Sequence, residues 1–341
     1  MDQRLDDLSR WARAEISRHA DAEISANVET VSGDASFRRY FRMSFRDRSW
    51  ILVDAPPAHE DCGRFIRIAT AWLNAGARVP AVIAADLAQG FMLLEDFGNQ
   101  LLWGRLHREG ITLDDVAGLY RTAIDQLLQL QTVKPDNLPP YDATLLYNEM
   151  ALFRDWLCQQ QLGMELSDAE IALLEDVFQT LIANILAQPV VTVHRDYHSR
   201  NLMVLSDTEL GIIDFQDAVA GAPTYDLVSL LRDSYVRWPT ALVDELLADY
   251  WQKARQQGIY LNSWEQFQKD ADWMAMQRQL KVAGIFARLN LRDGKAAYLA
   301  DIPNTVQYLR AAVGRYPQLD NFCQWLDERF LPALAQLETS A

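Results

Sequence analysis

Asp196 stands within His194-Arg195-Asp196-Tyr197-His198-Ser199-Arg200-Asn201, and Asp214 follows thirteen residues after Asn201 in Gly211-Ile212-Ile213-Asp214-Phe215. Carboxylate and amide oxygens are hard ligands that suit a divalent cation bound to a polyphosphate. Asp196, Asn201 and Asp214 are therefore candidates to hold such a cation, with one carboxylate left over to orient an attacking hydroxyl. That division of labour is phosphoryl transfer. Turn residues satisfying local backbone are the ordinary alternative. The five-residue step from Asp196 to Asn201, and the place of Asp214 at the end of an apolar run, favour a built site.

The residues need elements to hold them. Residues 190–193 and 210–213 read as strands that would bring the three side chains to one mouth. Ahead of them, residues 2–19 have helical periodicity, 28–31, 37–45 and 50–53 read as strands, 59–75 as a helix, and 81–85 and 91–94 as two more strands. The rest is mostly helical. Thr112-x-x-Asp115 and Ser167-x-x-Glu170 signal helices over 112–130 and 167–185, and further helices are predicted over 240–256, 264–291, 302–316 and 321–337.

The pattern His-x-Asp-x-His-x-x-Asn followed by Ile-Asp-Phe resembles the catalytic and metal-binding segments of the protein-kinase-like phosphotransferases, in particular the aminoglycoside phosphotransferase and choline kinase branch. The resemblance implies an α+β, bilobal protein-kinase-like fold with a small antiparallel-sheet N-lobe and a mostly helical C-lobe. Residues 1–97 would form the nucleotide-binding lobe and hinge, and 98–341 the helical lobe with the catalytic loop and acceptor site. It also implies ATP and Mg2+ as cofactors, with Asp196 as base and Asn201 and Asp214 on magnesium. Residues 32–42, 53–57 and 279–289 are similar to segments of the bacterial kinases that act on the anomeric hydroxyl of N-acetylmuramate and N-acetylglucosamine in cell-wall recycling. An aminoglycoside or choline-like acceptor, and a nucleotide-binding scaffold without catalysis, stand as the alternatives.

One departure from the family pattern matters. No lysine precedes Lys134, so the strand lysine that usually grips the ATP phosphates is absent, and Val53 and Asp54 stand near its place. An arginine fork is a substitute, and Arg38, Arg39 and Arg42 on the second strand are candidates. Arg38 is favoured, because side chains alternate along a strand and only some of the three can face a nucleotide. Gly33, Asp34 and Ser36 would complete the phosphate cradle. Glu60 lies where the family places the lysine's partner, although an acid at a helix start needs no such role. The hinge, residues 94–98, would reach adenine through the main chain of Glu95 and Phe97.

On the acceptor side, His198 and Arg200 are candidates to meet substrate or phosphate, with structural roles as the alternative. Glu149 on a predicted helix would accept from sugar hydroxyls, unless it is simply solvated. Arg278, Lys281 and Arg288 fall near one side of a helix and would receive an acceptor carboxylate or pair with surface acids. His194 and Asp226 read as braces for the loop. Only eight residues separate Asp214 from Pro223, too few for a peptide platform, so a small soluble acceptor is expected.

Composition sets the bounds. With 341 residues and half of them hydrophobic, the chain can build two lobes and a large core. A net charge of -15 argues against nucleic acid as partner. Three dispersed cysteines suit a reducing compartment, and neither a signal-like start nor a long apolar run is apparent, so a cytoplasmic protein without membrane or obligate protein partner is expected.

Overall fold

In the computed structural model, which describes residues 2–20, 27–33 and 37–340, the chain divides into two compact units. One comprises Met1–Arg105 and Arg200–Asp217, the other Leu106–Ser199 and Ala218–Ala341. No described helix is long and apolar enough to cross a membrane.

The first unit is built on an antiparallel sheet of β1 (Asn27–Gly33), β2 (Arg39–Phe45), β3 (Arg48–Asp54), β4 (Val82–Asp86) and β5 (Phe91–Glu95), in the order β1-β2-β3-β5-β4. Alternation sorts the faces. Phe41 and Met43 of β2 join Leu52, Phe91 and Leu93 beneath α1 (Gln3–Ala20), which buries Leu8, Ala12 and Ile16 at four-residue intervals against them. Helix α2 (Cys62–Asn74) starts three residues later than its apolar pattern suggests. His59 and Glu60 donate their amides to the Pro56 carbonyl in a turn, and the Asp61 side chain then caps α2 by accepting from the Arg64 amide.

A hairpin of β7 (Leu202–Ser206) and β8 (Glu209–Ile212) belongs to this unit, although residues 194–199, which precede it in sequence, belong to the other. Main-chain bonds fasten it: Val204 donates to the Gln100 carbonyl next to α3 (Leu102–Leu106), and Ile212 to the Arg78 carbonyl, each at 2.7 Å. Phe215 then places its ring 4.6 Å from that of Phe65 and 5.4 Å from that of Trp72, both on α2. Gly211 has a steric reason to be glycine. A β-carbon there would stand 2.4 Å from the Phe97 ring, whose own centroid lies 4.5 Å from the Arg78 guanidinium.

The second unit is helical. Its α4 (Leu113–Gln131) and α6 (Asp168–Leu186) open on the expected capping boxes at Thr112/Asp115 and Ser167/Glu170. Between them α5 (Ala143–Leu152) runs directly into a π-helix, Phe153–Gln161. Strands β6 (Val191–Val193) and β9 (Val219–Gly221) pair with one another. The runs 190–193 and 210–213 therefore do not share a sheet: the first forms β6 in this unit and the second lies in the β7–β8 hairpin of the other. Then come α7 (Thr224–Leu231), α8 (Thr240–Gln256), α9 (Trp264–Asp293), α10 (Ile302–Val313), α11 (Asp320–Trp325) and α12 (Leu331–Ser340). The single helix expected over 321–337 is interrupted by a π-helical turn at Leu326–Phe330.

Helix α9 spans 30 residues, roughly 45 Å at the α-helical rise, and is buried over most of its surface. It passes α5 so closely that a β-carbon at Gly284 would meet the Leu152 carbonyl carbon at 2.3 Å and the Phe153 amide nitrogen at 2.5 Å. Both atoms are main chain at the start of the π-helix and cannot step aside. Gly284→Ala is accordingly expected to lower unfolding free energy by about 2 kcal/mol or more despite alanine's higher helix propensity, as read by denaturant titration. An unchanged or raised midpoint would contradict the close crossing.

Candidate active site

In sequence the segment from His194 to Ser199 follows β6, and hydrogen bonds anchor most of its residues. His194 and Arg195 donate their amides to the Asp226 carboxylate of α7, at 2.6 and 2.9 Å. The Asp196 amide donates to His194 Nδ1 at 3.2 Å, the buried Tyr197 hydroxyl to the Ala123 carbonyl of α4 at 2.8 Å, and both the amide and hydroxyl of Ser199 to Asp233. With His194, Tyr197 and Ser199 inside, Asp196 and His198 are left partly exposed. Asp226, in the first turn of α7, thus braces the loop through its carboxylate.

Arg195 has a left-handed backbone, φ 81°, and its side chain runs inward to Glu149 of α5 at 2.5 Å. Glu149 also takes Lys281 of α9 at 3.1 Å, the Tyr141 hydroxyl, and the Gln277 amide at 3.2 Å. Lys281 in turn donates to the Tyr225 hydroxyl at 2.8 Å. Burial by itself would favour the neutral acid at Glu149. Lys281, Arg195 and Tyr141 outweigh it and hold the carboxyl below its usual range. The same attraction outweighs burial at Lys281 and raises its pKa.

Asp196 shows the same contest. Burial pushes its pKa up, but Lys281, His198, His194 and Arg195 together bring it below the ordinary value, so the group is a carboxylate at neutral pH. His198 is driven the other way. Burial lowers its pKa, the positive charge of Arg278 adds to that, and the acids Asp233 and Asp196 only partly oppose it. It is a neutral imidazole at neutral pH, set edge-on to the Tyr235 ring with centroids 5.5 Å apart.

In the first unit, the β7–β8 register brings Asn201 and Asp214 together at the open end of the hairpin. The Ile213 amide donates to the Asn201 carbonyl at 3.1 Å, and Asn201 Nδ2 points at Asp214 Oδ2 at 3.4 Å. Gln216 donates to the other Asp214 oxygen at 2.7 Å, and the backbone at Asp214 is left-handed, φ 65°. An amide whose nitrogen faces the carboxylate turns its oxygen the other way. Two hard-oxygen side chains presented in this manner fit magnesium better than a soft metal.

Arg38, just before β2, and Arg39 and Arg42 on it separate as alternation requires. Arg38 forms a buried ion pair with Glu60 at 2.6 Å, Arg39 on the opposite face joins Arg4 and Asp2 around the fully buried Asp54, and Arg42 is held by Asp96, Asn99 and the Gly98 carbonyl. Gly33 ends β1 opposite Arg39, while Asp34 and Ser36 lie outside the described residues. Glu95 pairs with Arg78 at 2.6 Å and gives its amide to the Ala81 carbonyl. Phe97 sits on Gly211 as described, and Arg200 lays its guanidinium over Trp103, 5.3 Å from the ring centroid. Arg278 and Lys281 are both buried, not a surface stripe. Tyr141, Gln277 and Asp233 are additions that no motif marks. Gln277 and Asp233 are isolated polar residues whose partners, Glu149 and Ser199, are 128 and 34 positions away, and Tyr141 meets Glu149 eight positions on.

A family model described as a phosphotransferase enzyme family matches residues 27–263. The N-acetylmuramate/N-acetylglucosamine kinase of Pseudomonas putida is 42% identical over 325 residues, covering 93% of this chain and 94% of that protein. Among solved structures, a choline/ethanolamine kinase family protein from Mesorhizobium loti superposes with a TM-score of 0.62 over 97% of this chain and 99% of that one, at 13% identity. An ADP-bound aminoglycoside phosphotransferase does so with a TM-score of 0.53 over 86% and 97%, at 16% identity. At these identities the structures speak for the fold.

Two outcomes test the loop's supports. Glu149→Gln would leave Lys281 and Arg195 buried without their counter-charge, which is expected to cost about 3–5 kcal/mol of stability; a loss below about 1 kcal/mol would mean that the cluster does not hold the loop. Burial raises the Asp226 pKa from 3.8 to about 6. A raised acid stabilises the fold below its unfolded pKa and loses that contribution as pH rises through its folded one. The stability advantage of wild type over Asp226→Asn should therefore shrink by about 2 kcal/mol between roughly pH 4.5 and 7.5. Parallel stability curves for the two proteins across that window would count against it.

Proposed function

The chain belongs to the phosphotransferase enzyme family, and from that membership we propose that it is an ATP-dependent kinase whose acceptors are N-acetylmuramate and N-acetylglucosamine, phosphorylated at the anomeric hydroxyl. The observation that carries the reading is Asp196, a partly exposed carboxylate held below its ordinary pKa chiefly by Lys281, in a loop braced from beneath. Such a group orients an acceptor hydroxyl and receives its proton late, because a loose phosphoryl-transfer transition state asks little bond-making help of a base. The acceptor identity is supported by the 42% identical relative of nearly equal length.

Asn201 and Asp214 would hold magnesium, which when bound neutralises charge on the nucleotide's terminal phosphates. Arg38 takes the place of the missing strand lysine, and its buried pairing with Glu60 supports this, since a family-like acid partner fixes the guanidinium. The main chain of Glu95 and Phe97 borders adenine. His198 and Arg200 are assigned to the reacting groups, while Glu149 and Lys281 support the acceptor site through the loop they anchor. Residues 1–97 form the nucleotide lobe and 98–341 the acceptor lobe in this reading. The free thiols Cys62, Cys158 and Cys323 favour a cytoplasmic enzyme.

ADP release measured with N-acetylmuramate, N-acetylglucosamine, kanamycin and choline tests the whole. Turnover is expected with the two sugars alone and should stop on addition of EDTA. Asp196→Ala and Asp214→Ala should each lower kcat by about 1000-fold or more while the melting temperature stays within a few degrees of wild type. Turnover with kanamycin or choline but no sugar would overturn the acceptor assignment. A collapse in melting temperature would move the mutated residue from chemistry to structure.

A further inference from the structure

Arg278 is the exception among the buried cations of the helical unit. Lys281 and Arg195 share Glu149, and Arg232 pairs with Asp272. Arg278 is only 3% exposed, yet among the described residues no carboxylate lies within ion-pair distance of it, and its Nη1 has no hydrogen-bond partner. A guanidinium cannot escape burial by losing its proton. Left alone, an unpaired buried charge is strongly destabilising, so a buried arginine with donors to spare is expected where a ligand supplies the anion.

Its surroundings say which ligand. Arg278 lies one helical turn before Lys281 on α9, and its charge is felt at His198 and Tyr225. His198 is two residues past Asp196, and its Nδ1 is likewise buried without a partner among the described residues. The anion therefore belongs close to the hydroxyl that Asp196 orients. A planar fork of donors matches a carboxylate.

We propose that Arg278 is the receptor for a carboxylate carried by the acceptor, the group that N-acetylmuramate has and N-acetylglucosamine lacks. This rests on the amino-sugar kinase reading. It adds that the enzyme recognises its acidic and neutral acceptors by different contacts, and that acidic sugars are the class for which α9 is equipped.

The test swaps one functional group at a time. Wild-type enzyme is assayed with N-acetylmuramate, with its lactyl carboxamide, and with N-acetylglucosamine, and the acid and amide are then compared in Arg278→Met. Wild type should use the acid with kcat/KM at least about tenfold above that of the amide, the range set by a charged hydrogen bond. In Arg278→Met the two should fall within about threefold of each other, since removing either partner removes the same interaction. Equal use of acid and amide by wild type would overturn the proposal without reference to any variant, so a misfolded Arg278→Met cannot rescue it. An acid preference that survives in Arg278→Met, or in a folded Arg278→Gln if the first variant fails to fold, would overturn it as well. If wild type phosphorylates neither sugar, the amino-sugar reading fails, and the carboxylate receptor falls with it.

Discussion

The carboxylate of Glu149 is the point on which the helical unit turns. Four donors from three elements converge on it: Arg195 from the loop, Lys281 and Gln277 from α9, and Tyr141 from the segment leading into α5. A buried acid is tolerated only when its oxygens are satisfied and its charge matched. The arrangement therefore permits one relative placement of α5, α9 and the loop. Gly284 is part of the same constraint, because the near-contact of α9 with the α5 main chain brings Lys281 within reach of Glu149.

From that cluster the electrostatics of Asp196 follow. The positive charges that secure Glu149 are not spent there entirely, since Lys281 and Arg195 also hold the Asp196 carboxyl ionised. One set of cations thus acts on two acids, the structural Glu149 and Asp196 of the proposed site. Asp226 works on the other side of the loop through backbone amides rather than charge pairs, and burial leaves its pKa raised to about 6. Three neighbouring acids in one unit are thereby set to different proton affinities by what surrounds each.

What could be read from the chain was what is local. The capping boxes at Thr112 and Ser167 are four-residue signals, and both helices begin where those signals say. The order of strands and helix in the first unit followed from alternation and turn residues, as did the separation of Arg38 from Arg39. Pairings over long sequence distance were not legible. Strand β6 has three residues and finds its partner more than twenty positions later, so nothing in its own sequence could name β9 over β8. Glu149 looks like any solvated helix acid until Lys281, from the far end of the chain, is brought to it. The π-helical turns were hidden for a similar reason, because they answer to packing rather than to a propensity.

Among the described residues outside glycine, a left-handed backbone occurs at Arg46, Arg195 and Asp214. Two of these three, Arg195 and Asp214, lie in or next to the proposed site. Glycine or asparagine would relax such a conformation by the order of 1 kcal/mol. Laboratory selection for thermal tolerance alone should hence drift towards those substitutions and silence the enzyme as it toughens it.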